Sequence, residues 1–144
     1  MTAGKDEPVF SNVLIALKED LDREPLIELA KRAAAPDARL HLLTLIKVAA
    51  NEDGVRRLKS AEQALEGRAD TLRAEGYDAS FEVGIVVVAA AMDIARIAEE
   101  RGVDLMVIGL AKRSRVGKAL VGSDAQRVLL GATCPVLVTH LYER

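Results

Sequence analysis

The sequence predicts an α/β domain built on a parallel sheet with helices on both faces. Three observations carry that prediction. Short apolar runs, too brief for buried helices, recur at 12–17, 40–46, 79–88, 105–108 and 135–139. Between them lie segments with apolar residues at helical spacing. The two kinds alternate along the whole chain, which calls for right-handed crossovers and a parallel sheet covered on both sides. At 144 residues there is room for one core, so 1–144 reads as a single domain, with 1–8 expected to be flexible.

Asn12-Val13-Leu14-Ile15-Ala16-Leu17 reads as the first strand. Glu19, Asp20, Asp22 and Glu24 precede Pro25, the pattern of carboxylates in a first helical turn with proline just inside. That helix carries Leu26, Leu29, Ala30 and Ala33 and stops at Pro36. Leu40 to Ile46 gives the second strand. Val55, Leu58, Ala61, Leu65, Ala69 and Leu72 then mark the inner face of a long helix from Val55 to Glu75, ended by Gly76. The third strand spans Ala79 to Val88. A third helix follows from Ala90 to Arg101, with Ile94, Ile97 and Ala98 inward and Gly102 as its stop. Leu105 to Ile108 is the fourth strand, Ser123 to Leu130 a short fourth helix, and Pro135 to Thr139 the fifth strand.

Composition removes several function classes. Aromatic residues are 3% of the chain and Trp is absent, which argues against stacking platforms for single-stranded nucleic acid or sugars. A formal charge of −2 gives no general attraction to nucleic acid or an anionic membrane. Cys134 is the single cysteine, so neither an internal disulfide nor a multi-cysteine metal site is available. No apolar run reaches membrane-spanning length, and the start MTAGKDEP is not a signal peptide, so a cytoplasmic protein is expected. No His-rich metal set, Ser-His-Asp arrangement or paired carboxylates can be discerned. His41, inside an apolar strand, reads as a core or edge histidine, and Cys134 as a buried, inert thiol.

In open parallel sheets ligands bind beyond the carboxyl ends of strands, where the strand order reverses. With a flavodoxin-like order that crevice lies beside the first strand, and any site falls on the loops after the first and fourth strands. The fourth-strand loop is the unusual one. It runs from Gly109 through Lys112, Arg113, Arg115, Gly117 and Lys118 to Gly122-Ser123-Asp124, with four cations within seven residues. Gly122-Ser123 at a helix start can present N–H groups and a hydroxyl to an anion. The same residues also serve plain capping: Ser123 with Gln126 forms an S-x-x-Q capping box. Asp124 suits a helix N-terminus but repels a phosphate seated there. Glu19, Asp20 and Asp22 could hold a magnesium ion near a phosphate, but helix capping explains them more simply.

The fourth strand, its loop, the short helix and the last strand resemble the universal stress protein family. Its nucleotide-binding members carry a glycine, two residues, a second glycine, nine residues, then Gly-Ser. Here stand Gly109, Lys112 at the second glycine, and Gly122-Ser123 at the expected distance. Ala132-Thr-Cys134-Pro135-Val136-Leu137-Val138 is similar to the family's last strand, and Leu40-His41-Leu42-Leu43 to its second. The resemblance implies a five-stranded sheet of order 3-2-1-4-5, adenine nucleotide alpha hydrolase-like, and a non-catalytic regulatory protein of the stress response. It implies that ATP or another adenine nucleotide would meet Ala16, Leu17, Lys18, Leu45, Gly109, Lys112, Arg113, Gly122, Ser123 and Asp124, between strands 1 and 4. It also implies a homodimer through the last strand, Val136, Leu137, Val138 and Thr139, with a protein partner for the assembly.

Three positions depart from the family's pattern. Lys18 stands where an aspartate usually ends the first strand facing adenosine. Val88-Ala89-Ala90 replaces an acidic-proline turn after the third strand, and Lys112 places a side chain where glycine lets the backbone approach phosphate. An ATP-hydrolysing member of the hydrolase-like group is the alternative, but Leu17-Lys18-Glu19-Asp20 is not the phosphate-binding turn it needs. A receiver domain would need a carboxylate after the corresponding strand, and none is there.

Overall fold

The alternation read from the sequence becomes β1 (Phe10–Ala16), α1 (Glu24–Ala33), β2 (Ala34–Ile46), α2 (Glu52–Ala74), β3 (Asp78–Ile85), α3 (Ala90–Glu100), β4 (Leu105–Lys112), α4 (Ser123–Gly131) and β5 (Val136–Tyr142). This computed structural model describes residues 10–19, 22–86, 89–112 and 123–142, without the side chains of 111, 112, 123, 124, 141 and 142. The strands form one five-stranded sheet of order β3-β2-β1-β4-β5. Every pairing in it is parallel. The order is therefore 3-2-1-4-5, as the resemblance implies, and not the flavodoxin-like order. Strand order reverses between β1 and β4, which puts the crevice on the β4 side of β1.

Period-two alternation within the central strands builds both layers. Val13 and Ile15 of β1 pack with Leu40 and Leu42 of β2, Leu105 and Val107 of β4, and Leu26, Ile27, Leu65, Ala69 and Leu72 of α1 and α2. Leu14, Leu43, Met106 and Ile108 face the other way, onto Ala91, Ile97 and Ala98 of α3 and Val128 of α4. The central runs Val13–Ile15 and Leu105–Ile108 are apolar throughout because they are covered on both faces.

Asp104 ties β1 to β4 at their amino ends, opposite the crevice. Its carboxylate accepts the N–H groups of Ser11 and Asn12, each at 3.0 Å, and the Ser11 hydroxyl at 3.2 Å. The Asn12 amide in turn donates to the carbonyls of Arg101 and Gly102 at 2.8 and 3.0 Å. These bonds tie the entry of β1 to the turn before β4, so the two strands flanking the reversal keep one register, Val13 beside Leu105 and Ile15 beside Val107.

Several boundaries differ from the sequence reading. β2 begins at Ala34, not Leu40, because Ala34 pairs with Phe10; the register then shifts before Asn12 meets Arg39, and Pro36 falls in that irregularity. A proline without an N–H is tolerated where the ladder is interrupted. β3 ends at Ile85, before Val88. β4 continues past Gly109 to Lys112 and β5 past Thr139 to Tyr142, because the two pair along that whole length. Val55 is 51% exposed; the buried residue of that first turn is Gly54. The cap of α2 is Asn51, whose Oδ1 accepts the Gly54 N–H at 2.9 Å, a signal the sequence reading passed over. At α1 the acidic cluster divides: Asp22 accepts the Glu24 N–H at 3.1 Å, but Glu19 is committed elsewhere.

Candidate functional site

At the carboxyl ends of the strands the sheet opens into a cavity of about 680 Å³. That is within the ordinary size of small-molecule sites. Its depth is apolar: Ala16, Leu43, Leu45, Ile46, Ile108 and Val128, with Ile94 and the α3 start at Ala89, Ala90 and Ala91. Its charged lining residues are Lys18, Glu19, Lys47 and Arg57. Leu17, the first residue past β1, donates its N–H to the Leu43 carbonyl at 2.8 Å. The chain therefore stays in ladder register up to the point where Lys18 turns outward.

Arg57 and Glu19 form a forked pair across the mouth. Arg57 Nη2 lies 2.6 Å from Glu19 Oε1, and Nε lies 3.2 Å from Oε2. The remaining Arg57 amine donates to the Lys47 carbonyl at 3.4 Å. The first turns of α2 are thus fastened to the loops after β1 and β2. The hydrogen bond from Glu19, and its charge, hold the guanidinium still more firmly protonated than usual. Lys18 and Lys47 have no acidic partner among the described residues.

Of the residues expected from the sequence, Ala16, Leu17, Lys18, Leu45 and Gly109 line this one cavity. Arg113 and Gly122 lie outside the described residues, as do the side chains of Lys112, Ser123 and Asp124, so the basic loop and the proposed capping box do too. Val136, Leu137, Val138 and Thr139 lie on β5, which pairs with β4 alone among the described strands. Sequence reasoning missed Glu19 as a partner for Arg57, and missed Lys47, Arg57, Val86, Ile94 and Val128 as lining. Lys47, directly after an apolar strand, carried a usable signal; Arg57 carried none, since its placement depends on how α2 crosses the sheet.

Among the described residues no group of His, Cys, Asp and Glu could hold a metal ion. No helix among them is long and apolar enough to cross a membrane. Cys134 is half-buried, and burial, with a smaller effect from the Asp104 charge, pushes its thiol pKa up. The buried thiol expected from the sequence is thus a partly buried one, held more firmly protonated than a free cysteine.

A 3-2-1-4-5 parallel sheet with its cavity at the β1/β4 reversal defines a doubly wound α/β domain. The sequence profile of the Universal stress protein family matches residues 10–140, and the chain belongs to that family. It is similar to a universal stress protein of Synechocystis, 27% identical over 95% of this chain and 45% of that protein. The chain thus spans about half the length of the curated relative it matches. Among solved structures it is similar to the universal stress protein from Archaeoglobus fulgidus in complex with dAMP, 19% identical, covering 90% of this chain and 98% of that one, TM-score 0.61. It is also similar to a universal stress protein in complex with cAMP, 23% identical, covering 91% and 97%, TM-score 0.59.

Proposed function

We propose that this single-domain chain is a non-catalytic, cytoplasmic regulatory protein of the stress response that binds an adenine nucleotide in the β1/β4 cavity. The observation that carries this reading is the cavity itself: an apolar slot at the strand-order reversal whose mouth holds Lys18, Lys47 and Arg57. The apolar depth suits a purine, and cations suit phosphate. The relatives solved with dAMP and cAMP support the ligand class. We assign Ala16, Leu17, Lys18, Leu45 and Gly109 to the nucleotide, with Lys112, Arg113, Gly122, Ser123 and Asp124 as the phosphate end.

Binding without turnover is the expected result. Hydrolysis requires a positioned base or a metal for the attacking water, and the carboxylate among the described lining residues, Glu19, is engaged by Arg57. Calorimetric titration with AMP, ADP and ATP should give heat that declines steeply with salt, because contacts at an open mouth are screened. ATP turnover should not exceed that of a Ser123→Ala control. Absence of heat with all three nucleotides overturns the binding reading, and turnover well above that control overturns the non-catalytic one.

We further propose a homodimer through β5. Its outer edge is unpaired among the described strands, and an exposed apolar edge invites a second strand. Val138 is 38% exposed, and Leu129 and Leu130 of α4 are 42% and 87% exposed, apolar area that a second copy would cover. Light scattering at micromolar protein should return twice the chain mass, and Val138→Lys should shift the protein toward monomer. A monomer at every concentration contradicts this.

A further inference from the structure

We propose that the cavity selects an adenosine 5′-phosphate carrying a second phosphate on its ribose, read by Lys18 and Lys47. This rests on the adenine-nucleotide reading above and narrows it to a chemical class.

The charges lining the cavity carry the argument. Among the described lining residues there are three cations, Lys18, Lys47 and Arg57, and one carboxylate, Glu19. Arg57 is spent: its Nη2 and Nε reach both oxygens of Glu19, at 2.6 and 3.2 Å. That leaves two ammonium groups on the loops that follow the adjacent strands β1 and β2, with no acidic partner among the described residues. Two like charges at one mouth repel each other, and a dianion between them removes the repulsion while making charge-assisted hydrogen bonds.

A bare ribose fits that mouth poorly. Its vicinal hydroxyls accept from an ammonium as well as donate, but they are neutral and leave both lysine charges uncompensated. In dinucleotide-binding sheets an Asp or Glu takes the free 2′-hydroxyl, and a cation in that neighbourhood marks a ribose phosphate instead. Here both oxygens of Glu19 already accept from Arg57, so that carboxylate is not free to receive a sugar hydroxyl. The lysines offer only donors. A neutral hydroxyl accepts from them without meeting their charge, whereas a phosphate does both. The apolar depth at Leu43, Ile108 and Val128 remains for the base, and the β4 end at Gly109 for the 5′-phosphate.

The test is calorimetric titration with adenosine 3′,5′-bisphosphate, adenosine 2′,5′-bisphosphate, ADP and AMP. ADP carries the same number of phosphates as the bisphosphates, both on the 5′ side, so it controls for phosphate number. At least one bisphosphate is expected to bind the parent tenfold or more tighter than ADP. In Lys18→Asp that preference over ADP should vanish, and Lys47→Gln should reduce it partially. Lys18 and Lys47 are exposed, so thermal melts of both variants should match the parent. Equal affinity for ADP and the bisphosphates, or a preference that survives Lys18→Asp, overturns the ribose-phosphate proposal and leaves adenine binding standing. No binding of any of the four overturns the adenine reading, and this proposal with it.

Discussion

Replacing Leu42 by Ala is expected to remove about 2–5 kcal/mol of folding stability, the range for a buried leucine truncated in a tight core. Leu42 is fully buried at the centre of β2, where it packs with Val13 and Ile15 of β1 and with Leu65 and Leu72 of α2. A domain of this size has roughly 5–15 kcal/mol in total, so this one change takes a large share. Urea unfolding should show a midpoint lowered by about 1 M or more, with the slope unchanged. Val55→Ala is the contrasting variant. Val55 belongs to the same apolar series along α2 but is 51% exposed, and its truncation should cost little. Equal losses for the two variants would mean that α2 is not seated on the β1/β2 face as described.

That contrast shows which parts of the molecule were legible in the sequence. Short apolar runs and helical spacing report burial locally, so all nine described elements were identifiable from it. The strand order came from the resemblance, since spacing alone does not separate 3-2-1-4-5 from the flavodoxin-like order. Val55 was misplaced because periodicity says which face a residue occupies, not whether the sheet extends far enough to cover it. The helix expected to reach Pro36 ends at Ala33, and strand pairing begins at once because Phe10 lies alongside Ala34. The same division holds for the site. Ala16, Leu17, Lys18, Leu45 and Gly109 are strand-end residues, and strand ends are local signals. Arg57 sits 38 residues from Glu19, and no spacing rule links an acid after β1 to a base in α2. Glu19 therefore looked like one more helix-capping carboxylate. Only packing separates it from Asp22, which accepts the Glu24 N–H at the start of α1.

The second large effect is a loss of stability in mild acid, centred on His41. This residue lies in β2 with 3% of its side chain exposed. Its Nδ1 is 2.6 Å from the Ser80 hydroxyl, and its Nε2 is buried without a hydrogen bond, 3.4 Å from Glu82 Oε1. Glu82 on β3 also accepts from Arg101, which follows α3, at 3.1 Å. Asn12, Arg39 and Asp78 line the same small hollow, and Arg39 and Asp78 face each other at 3.5 Å. Burial, and then the Arg101 charge, lower the imidazole pKa below its ordinary 6.5, with Glu82 opposing. The folded protein thus holds His41 neutral at pH 7, whereas the unfolded chain takes up the proton near 6.5. Because the unfolded state binds more protons, stability rises with pH across this window. It is complete above 6.5, declines as pH falls from there toward the lower folded-state value, and levels off below that. One proton allows a slope of at most about 1.4 kcal/mol per pH unit. Glu24, whose pKa the Arg68 hydrogen bond lowers from 4.5, adds its own loss only at more acidic pH than the 6.5 where the His41 decline begins. Urea unfolding at several pH values from 7.5 to 5, in a His140→Gln background that leaves His41 as the single histidine, should show the decline. His41→Gln should flatten it, at the cost of a lower plateau. Glu82→Gln removes the opposing carboxylate and should steepen it. A decline that persists unchanged in His41→Gln would assign the acid sensitivity to other groups.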